Sequence, residues 1–227
     1  MSGGKEAVLG AVRTALGRDG SSSDGPAAIH SRLDQHPKGP IPIRGQDKGQ
    51  DAIDRFIAEA KAASALVDCI DDVSDIPTFV TGFLAQHNLP SQLRACSDPL
   101  LASVDWSRAA PLTVEGGRAE PSDFASLSVA KAGVAETGTL VLVADDTNPG
   151  TLNSLPQHHI VVLQADQIVG HYEEIWPKVR EGALPRAIVW VTGPSRTADI
   201  EQELLLGAHG PQMLQILIVG NRDLASR

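Results

Sequence analysis

"RAIVWVTGPSRTADIEQELLLGAHGPQMLQILIVG", residues 186–220, decides the fold class. Both ends of this stretch, 186–193 and 214–220, are apolar runs without a polar face. Such runs belong to strands buried on both sides of a parallel sheet. Between them "TADIEQELLLG" (197–207) reads as a helix closed by Gly207. Strand, helix, strand is the grammar of a parallel crossover.

The pattern extends towards the N-terminus. "HHIVVLQ" (158–164) is another buried strand, followed by a helix around Ile168–Val179. Residues 125–135 and 139–144 read as two further strands, and "QLRACS" (92–97) as a short one. Ile53, Phe56, Ile57, Ala60 and Val67 share one helical face. Ser74 or Asp75 caps the next helix, with Pro77 in its first turn and a stripe of Ile76, Phe79, Val80, Phe83 and Leu84. Leu9, Val12 and Leu16 mark a short amphipathic helix ended by Gly17. Residues 18–49 are rich in Gly, Ser and Pro and have no periodicity, so they read as a linker or loose arm. The expected organisation is a helix plus arm over 1–49, then an α/β domain over 50–227. That domain holds a mostly parallel central sheet flanked by helices.

Bulk composition narrows the function. A 42% hydrophobic content with only 4% aromatics means that Ala, Val, Leu and Ile fill the core. A formal charge of −9 argues against nucleic acid and anionic lipid as partners. Two cysteines, Cys69 and Cys96, are too few for a four-thiolate iron–sulfur cluster. No apolar run approaches the roughly 20 residues of a membrane span. The first residues lack a signal-peptide pattern. A reducing, cytoplasmic setting is expected.

Three stretches could carry chemistry. Glu136 interrupts the apolar run "GVAETGTLVLVA" (133–144), at a corner that Gly138 makes possible. It is either an exposed turn residue or a carboxylate whose apolar surroundings suit it to act as base or nucleophile. "GPSRTADIE" (193–201) follows a buried strand, where α/β sheets bind ligands. Ser195, Arg196, Thr197 and Asp199 there either hold an anion at a helix start or merely cap the helix. His209, in a Gly-Pro turn, is an acid–base candidate or a turn residue. His158 and His159 point to opposite faces of a strand, so no metal site is assigned.

"AETGTLVL" (135–142), "LPQHHIVVL" (155–163) and "GPSRTADIEQELLLGAHGP" (193–211), in that order, resemble the LutC/YkgG lactate-utilisation proteins, the LUD-domain family. The resemblance covers roughly residues 50–220, and its last motif is the most specific. It implies a NagB/RpiA/CoA-transferase-like α/β fold. It implies a part in oxidising L-lactate to pyruvate, together with two partner proteins that carry iron–sulfur clusters. The redox cofactors would then belong to the partners, with none bound by this chain alone. Transferases of that fold use a glutamate followed shortly by a glycine, and Glu136 and Gly138 are similar in placement, although Glu-Thr-Gly replaces the usual Glu-Asn-Gly.

The expected site has Glu136 and His209 as catalytic groups, and Gly138, Thr139, Ser195, Arg196, Thr197 and Asp199 as ligand-binding groups. A small carboxylate would pair with Arg196. Two alternatives stay open: a stand-alone isomerase or CoA-transferase-like enzyme using Glu136, and a non-catalytic assembly subunit.

Overall fold

The structure, a computed structural model, describes residues 3–17, 24–181, 184–197, 205–207 and 209–220. The chain divides into two compact units, Met1–Pro40 and Ile41–Arg227. In the first, helix α1 (Gly3–Ala15) carries Leu9 and Val12, and Gly17 follows it with φ +61°. A second helix, α2 (Asp24–Gln35), occupies part of the stretch that reads as linker. Its large apolar residues are only Ile29 and Leu33, too short a stripe to register as a period.

The second unit is built on a six-stranded parallel sheet. Its spatial order is β1 (Leu66–Ile70), β12 (Met213–Val219), β7 (His158–Gln164), β4 (Ala125–Val129), β2 (Gln92–Ala95) and β3 (Thr113–Gly116). Every neighbouring pair runs parallel. This is the α/β architecture the apolar runs imply. Along β7, Ile160 and Val162 face helix α4 (Ile76–Gln86) and its stripe of Ile76, Val80, Phe83 and Leu84. Val161 and Leu163 face the other way, onto Ala52, Phe56 and Ala60 of α3 (Gln50–Ala62). Both faces of the strand are dry, so both its residue sets are apolar.

A second sheet shares that latter layer. Its order is β8 (Ile168–Val169), β5 (Ala132–Val134), β6 (Thr139–Ala144) and β9 (Ala187–Val191), with β6 antiparallel to both its neighbours. Leu140 and Leu142 point from β6 into the α3 cluster. Ala132, Val134 and Val141 point outward onto Ile175 and Val179 of the short helix α6 (Ile175–Val179). At Gly133 a Cβ would lie 2.8 Å from the Leu163 side chain and 2.9 Å from the Phe56 ring, so both side chains pack directly on the β5 main chain. The remaining pieces are α5 (Pro99–Ala102) and a two-stranded ribbon of β10 (Arg196–Thr197) and β11 (Leu205–Leu206).

Several local expectations are corrected. Residues 125–135 are two strands, because the chain leaves the parallel sheet at Ala130 and enters the second sheet at Ala132. The helix expected over 168–179 is β8, a 3₁₀ turn at Tyr172–Glu174 and α6; Pro177 lies within this last short piece. The stretch 186–220 is not a parallel crossover: β9 pairs antiparallel with β6 in the second sheet and is only partly buried, while β12 lies in the parallel sheet. The helix expected over 197–207 has strand at both described ends, where Thr197 pairs with Leu205. Its middle, 198–204, lies outside the described residues. Val67 belongs to β1, since α3 ends at Ala62. The side-chain cap before α4 is Asp72, which accepts from Ser74 N at 2.7 Å and starts a 3₁₀ turn ahead of the helix.

One polar cluster lies inside the sheet. His159 of β7 is 1% exposed, and its Nε2 lies 3.0 Å from the Ser128 hydroxyl of β4. Ser128 in turn donates to Asn153 Oδ1 at 3.2 Å. Burial pushes the His159 imidazolium down to a pKa of about 3, so the ring is neutral in the folded chain. A depressed histidine contributes stability that is complete above the unfolded value near 6.5 and is lost as pH falls towards 3. We expect this one group to remove about 1 kcal/mol of unfolding free energy per pH unit across that window. Urea unfolding of wild type and His159→Asn between neutral and acid pH checks it: the variant should lose that slope.

Candidate functional site

The structure distributes the expected site residues over three places. Glu136 sits in the turn joining β5 to β6 and is only 5% exposed. Its main-chain N–H donates to Gly170 O at 3.0 Å, and its carboxylate Oε1 accepts from Tyr172 N at 3.2 Å. Of the two readings of this glutamate, the exposed turn residue is therefore excluded.

Beside it is a ring of hydroxyls. Thr137, Thr139 and Tyr172 lie within 2.7–2.9 Å of one another, and Thr139 reaches Thr192 at 2.7 Å. Thr139 is thus fully buried and committed to holding the hairpin against the strand end at Thr192. Tyr172 also packs its ring on Trp190, 5.1 Å between centroids.

The second place is the C-terminal end of α3. Gly138 has φ +63°, and a Cβ there would overlap the main chain of Ala60. Gly193 has φ +75°, and a Cβ there would overlap Ala63 O. The exposed Arg196 guanidinium donates to Ala63 O, one of the helix's terminal carbonyls. In this structure Arg196 serves the helix end.

The third place is the ribbon loop. Ser195 N donates to Pro211 O at 2.8 Å, Ser195 O accepts from Gly207 N at 3.0 Å, and a Cβ at Gly210 would lie 3.3 Å from Ser195 Cβ. Thr197 is in β10, and His209 is exposed in the loop between β11 and β12. Asp199 lies outside the described residues. The hydroxyl ring ties the first place to the strand end beside the second. No hydrogen bond among the described residues brings Glu136, Arg196 and His209 into one group.

What the sequence reading missed is a cavity of about 460 Å³ at the carboxyl ends of β2, β4 and β7. Ligands of open α/β sheets bind at such ends, and the volume suits a small molecule. Val129 and Gln164 end their strands there, and Lys131 lies on the crossover to the second sheet. Lys178 comes from α6, where its ammonium donates to Gln167 at 3.1 Å. The far wall is the loop after β6. Asp145 Oδ1 accepts from Thr147 N, Thr147 Oγ1 and Asn148 N at 2.7–2.9 Å, closing the loop on itself. Burial raises the Asp145 carboxyl, but these donors outweigh it and hold it below the usual carboxylate range. Asn148 is 6% exposed, and its Oδ1 has no hydrogen-bond partner. Asp98 and Glu181 add negative charge at the rim, so the two ammonium groups face a mixed field. The one sequence signal for this place was the polar run "DDTNPG" (145–150) after an apolar strand.

Cys69 and Cys96 are both free thiols on β1 and just after β2. Three strands lie between β1 and β2, so the two thiols cannot share one cluster. Burial pushes the Cys96 thiol up. Among the described residues, no group of three or more His, Cys, Asp or Glu is placed to hold a metal ion. Among them too, no helix is long and apolar enough to cross a membrane.

A parallel sheet with a cavity at its strand ends is the frame of many small-molecule proteins, and comparison narrows the class. Residues 120–219 match the family model described as "LUD domain". Over this segment, less than half of the chain, the sequence is similar to the LUD-domain family.

Among curated relatives, a "Lactate utilization protein C" of Deinococcus radiodurans is 39% identical over 92 residues, 38% of this chain and 42% of that protein. One of Anoxybacillus flavithermus is 33% identical over 89 residues, 39% and 40% of the two chains. An uncharacterized protein of Neisseria meningitidis serogroup B is 35% identical over 97 residues, 42% of each chain. The matches thus span about two fifths of the length of these relatives. The crystal structure of a DUF162 family protein from Deinococcus radiodurans superposes with a TM-score of 0.59 at 22% identity. It covers 77% of this chain and all of that one, and shows the shared fold.

Gly138, a candidate ligand contact, has a measurable structural duty. With φ +63° and Ala60 behind it, Gly138→Ala should lower the unfolding free energy by more than about 2 kcal/mol, read by urea titration.

Proposed function

We propose that this chain is a LutC-type component of a lactate-utilisation system, and that it holds a small carboxylate in the cavity at the strand ends. The observation that carries the reading is the LUD segment itself. It contains three of the strands whose residues line the cavity, β4, β6 and β7, and the chain is similar to proteins named lactate utilization protein C.

The chemistry asked of the cavity is modest. Lys131 and Lys178 supply the cationic donors that a carboxylate needs. The unpartnered Asn148 Oδ1 supplies an acceptor for the hydroxyl of a 2-hydroxy acid. Oxidation of L-lactate to pyruvate removes two electrons and two protons. Iron–sulfur clusters in partner subunits would supply the electron acceptor, and the part of this chain would be to bind and orient the acid. A three-carbon acid fills a fraction of about 460 Å³, which leaves room for the partner group that receives the electrons. The carboxylate reading with Arg196 is replaced here by one with Lys131 and Lys178, because Arg196 is engaged at the end of α3.

Two measurements test this. Calorimetric titration of the purified chain with L-lactate and pyruvate should show binding that weakens about tenfold or more in Lys178→Ala, the loss expected for one charge-assisted hydrogen bond. Expressed with its iron–sulfur partner subunits, the wild-type chain should support lactate-dependent dye reduction. A complex that reduces dye equally well without this chain would overturn the system role.

A further inference from the structure

Glu136 lies outside the carboxylate cavity, yet among the described residues it is the one buried side chain that is an acid or a Lys or Arg. Its cover is the segment "IPIRGQDKG" (41–49), which crosses it before α3 begins. A 3₁₀ turn at Ile43–Gly45, with Gly45 N donating to Pro42 O at 2.9 Å, lays the buried Gly45 against the glutamate. A Cβ at Gly45 would lie 3.3 Å from Glu136 Oε2 and 2.8 Å from His171 Cβ. From below, a Cβ at Gly170 would overlap Gly45 O and lie 2.8 Å from Asp47 O. Two glycines therefore let the strap and the 170–172 turn close on the carboxylate at main-chain distance.

The same strap is held by little else. Ile43 is 87% exposed and Ile41 is 39% exposed, so its large apolar side chains do not anchor it. Among the described residues its one side-chain tie is the ion pair of Asp47 with Arg55, both partly exposed. A segment with so little apolar burial opens at low cost compared with the sheet beneath it. Gly49, at φ +57°, supplies the pivot next to α3.

We propose that residues 42–47 are a removable cover over a second site at Glu136, distinct from the lysine-lined cavity. Lifting the strap as a unit exposes the carboxylate beside the hydroxyls of Thr137, Thr139 and Tyr172, without disturbing the main-chain hold of Tyr172 N on Oε1.

Carbodiimide coupling of glycinamide to carboxylates, mapped by peptide mass spectrometry, tests this on the full chain. In wild type, Glu136 should couple at least about tenfold more slowly than the exposed Glu120. Gly170→Ala forces the strap off, and Asp47→Ala removes its side-chain tie. Each should raise the Glu136 rate about tenfold or more while leaving Glu120 unchanged. If Gly170→Ala unfolds the chain, seen as equal coupling at every carboxylate, Asp47→Ala decides. A wild-type Glu136 rate equal to that of Glu120, or a Glu136 rate unchanged in folded variants, overturns the cover.

Discussion

Strand β7 is apolar on both faces, and the layers of the second unit are arranged to keep both faces dry. Ile160 and Val162 require α4 on one side; Val161 and Leu163 require α3 and the second sheet on the other. Its neighbours β4 and β12 run parallel to it, so their carboxyl ends gather at one edge. Burial of this kind is worth about 25 cal/mol for each Å² of apolar surface removed from water, and it is concentrated in these few strands. The cavity wall, the crossover at Lys131 and the placement of α6 all follow from where those strands stop.

The second sheet is the device that turns a covered sheet into one with a site. The chain leaves β4 at Ala130, turns through Lys131 and becomes β5, so a cation is left at the edge of the parallel sheet. Gly133 then lets the side chains of Phe56 and Leu163 pack directly on the β5 main chain. Gly138 brings the hairpin turn within main-chain distance of α3. Close approach of the layers is what buries Glu136 and closes the hydroxyl ring of Thr137, Thr139 and Tyr172. The carboxylate is enclosed because the hairpin is pressed into the molecule, and its apolar flanks are the sequence trace of that pressure.

The legible parts were those with a strong period or an uninterrupted apolar run. Strands 139–144 and 158–164 are found with the limits their composition suggests, and α4 shows its Ile76, Val80, Phe83, Leu84 stripe buried. The missed parts lack such signals. Residues 168–179 contain Ile, Val, Tyr and Trp at spacings that fit a helix, but β8 pairs with β5 and the helix begins only at Ile175. Ala130 and Lys131 carry no turn residue, so the break in 125–135 is invisible locally. Arg196 offered a guanidinium fork beside a buried strand, which reads equally as an anion site or a helix-end partner. Only the position of Ala63 O chose between them.

By itself the sequence determined the fold class and most of the buried strands, because each of these is a local property: apolar runs name the strands, and the motifs carry the similarity to the LUD domain. Tertiary structure alone decided where the chemistry lies. Lys131, Asn148 and Lys178 come together from a crossover, a loop and a helix tens of residues apart, and no spacing in the chain announces them. Glu136 was noticed from its neighbours, but its enclosure beneath Gly45 depends on a segment some ninety residues earlier in the chain. Side chains acquire partners through packing at a distance, and packing at a distance is not written in the order of the residues.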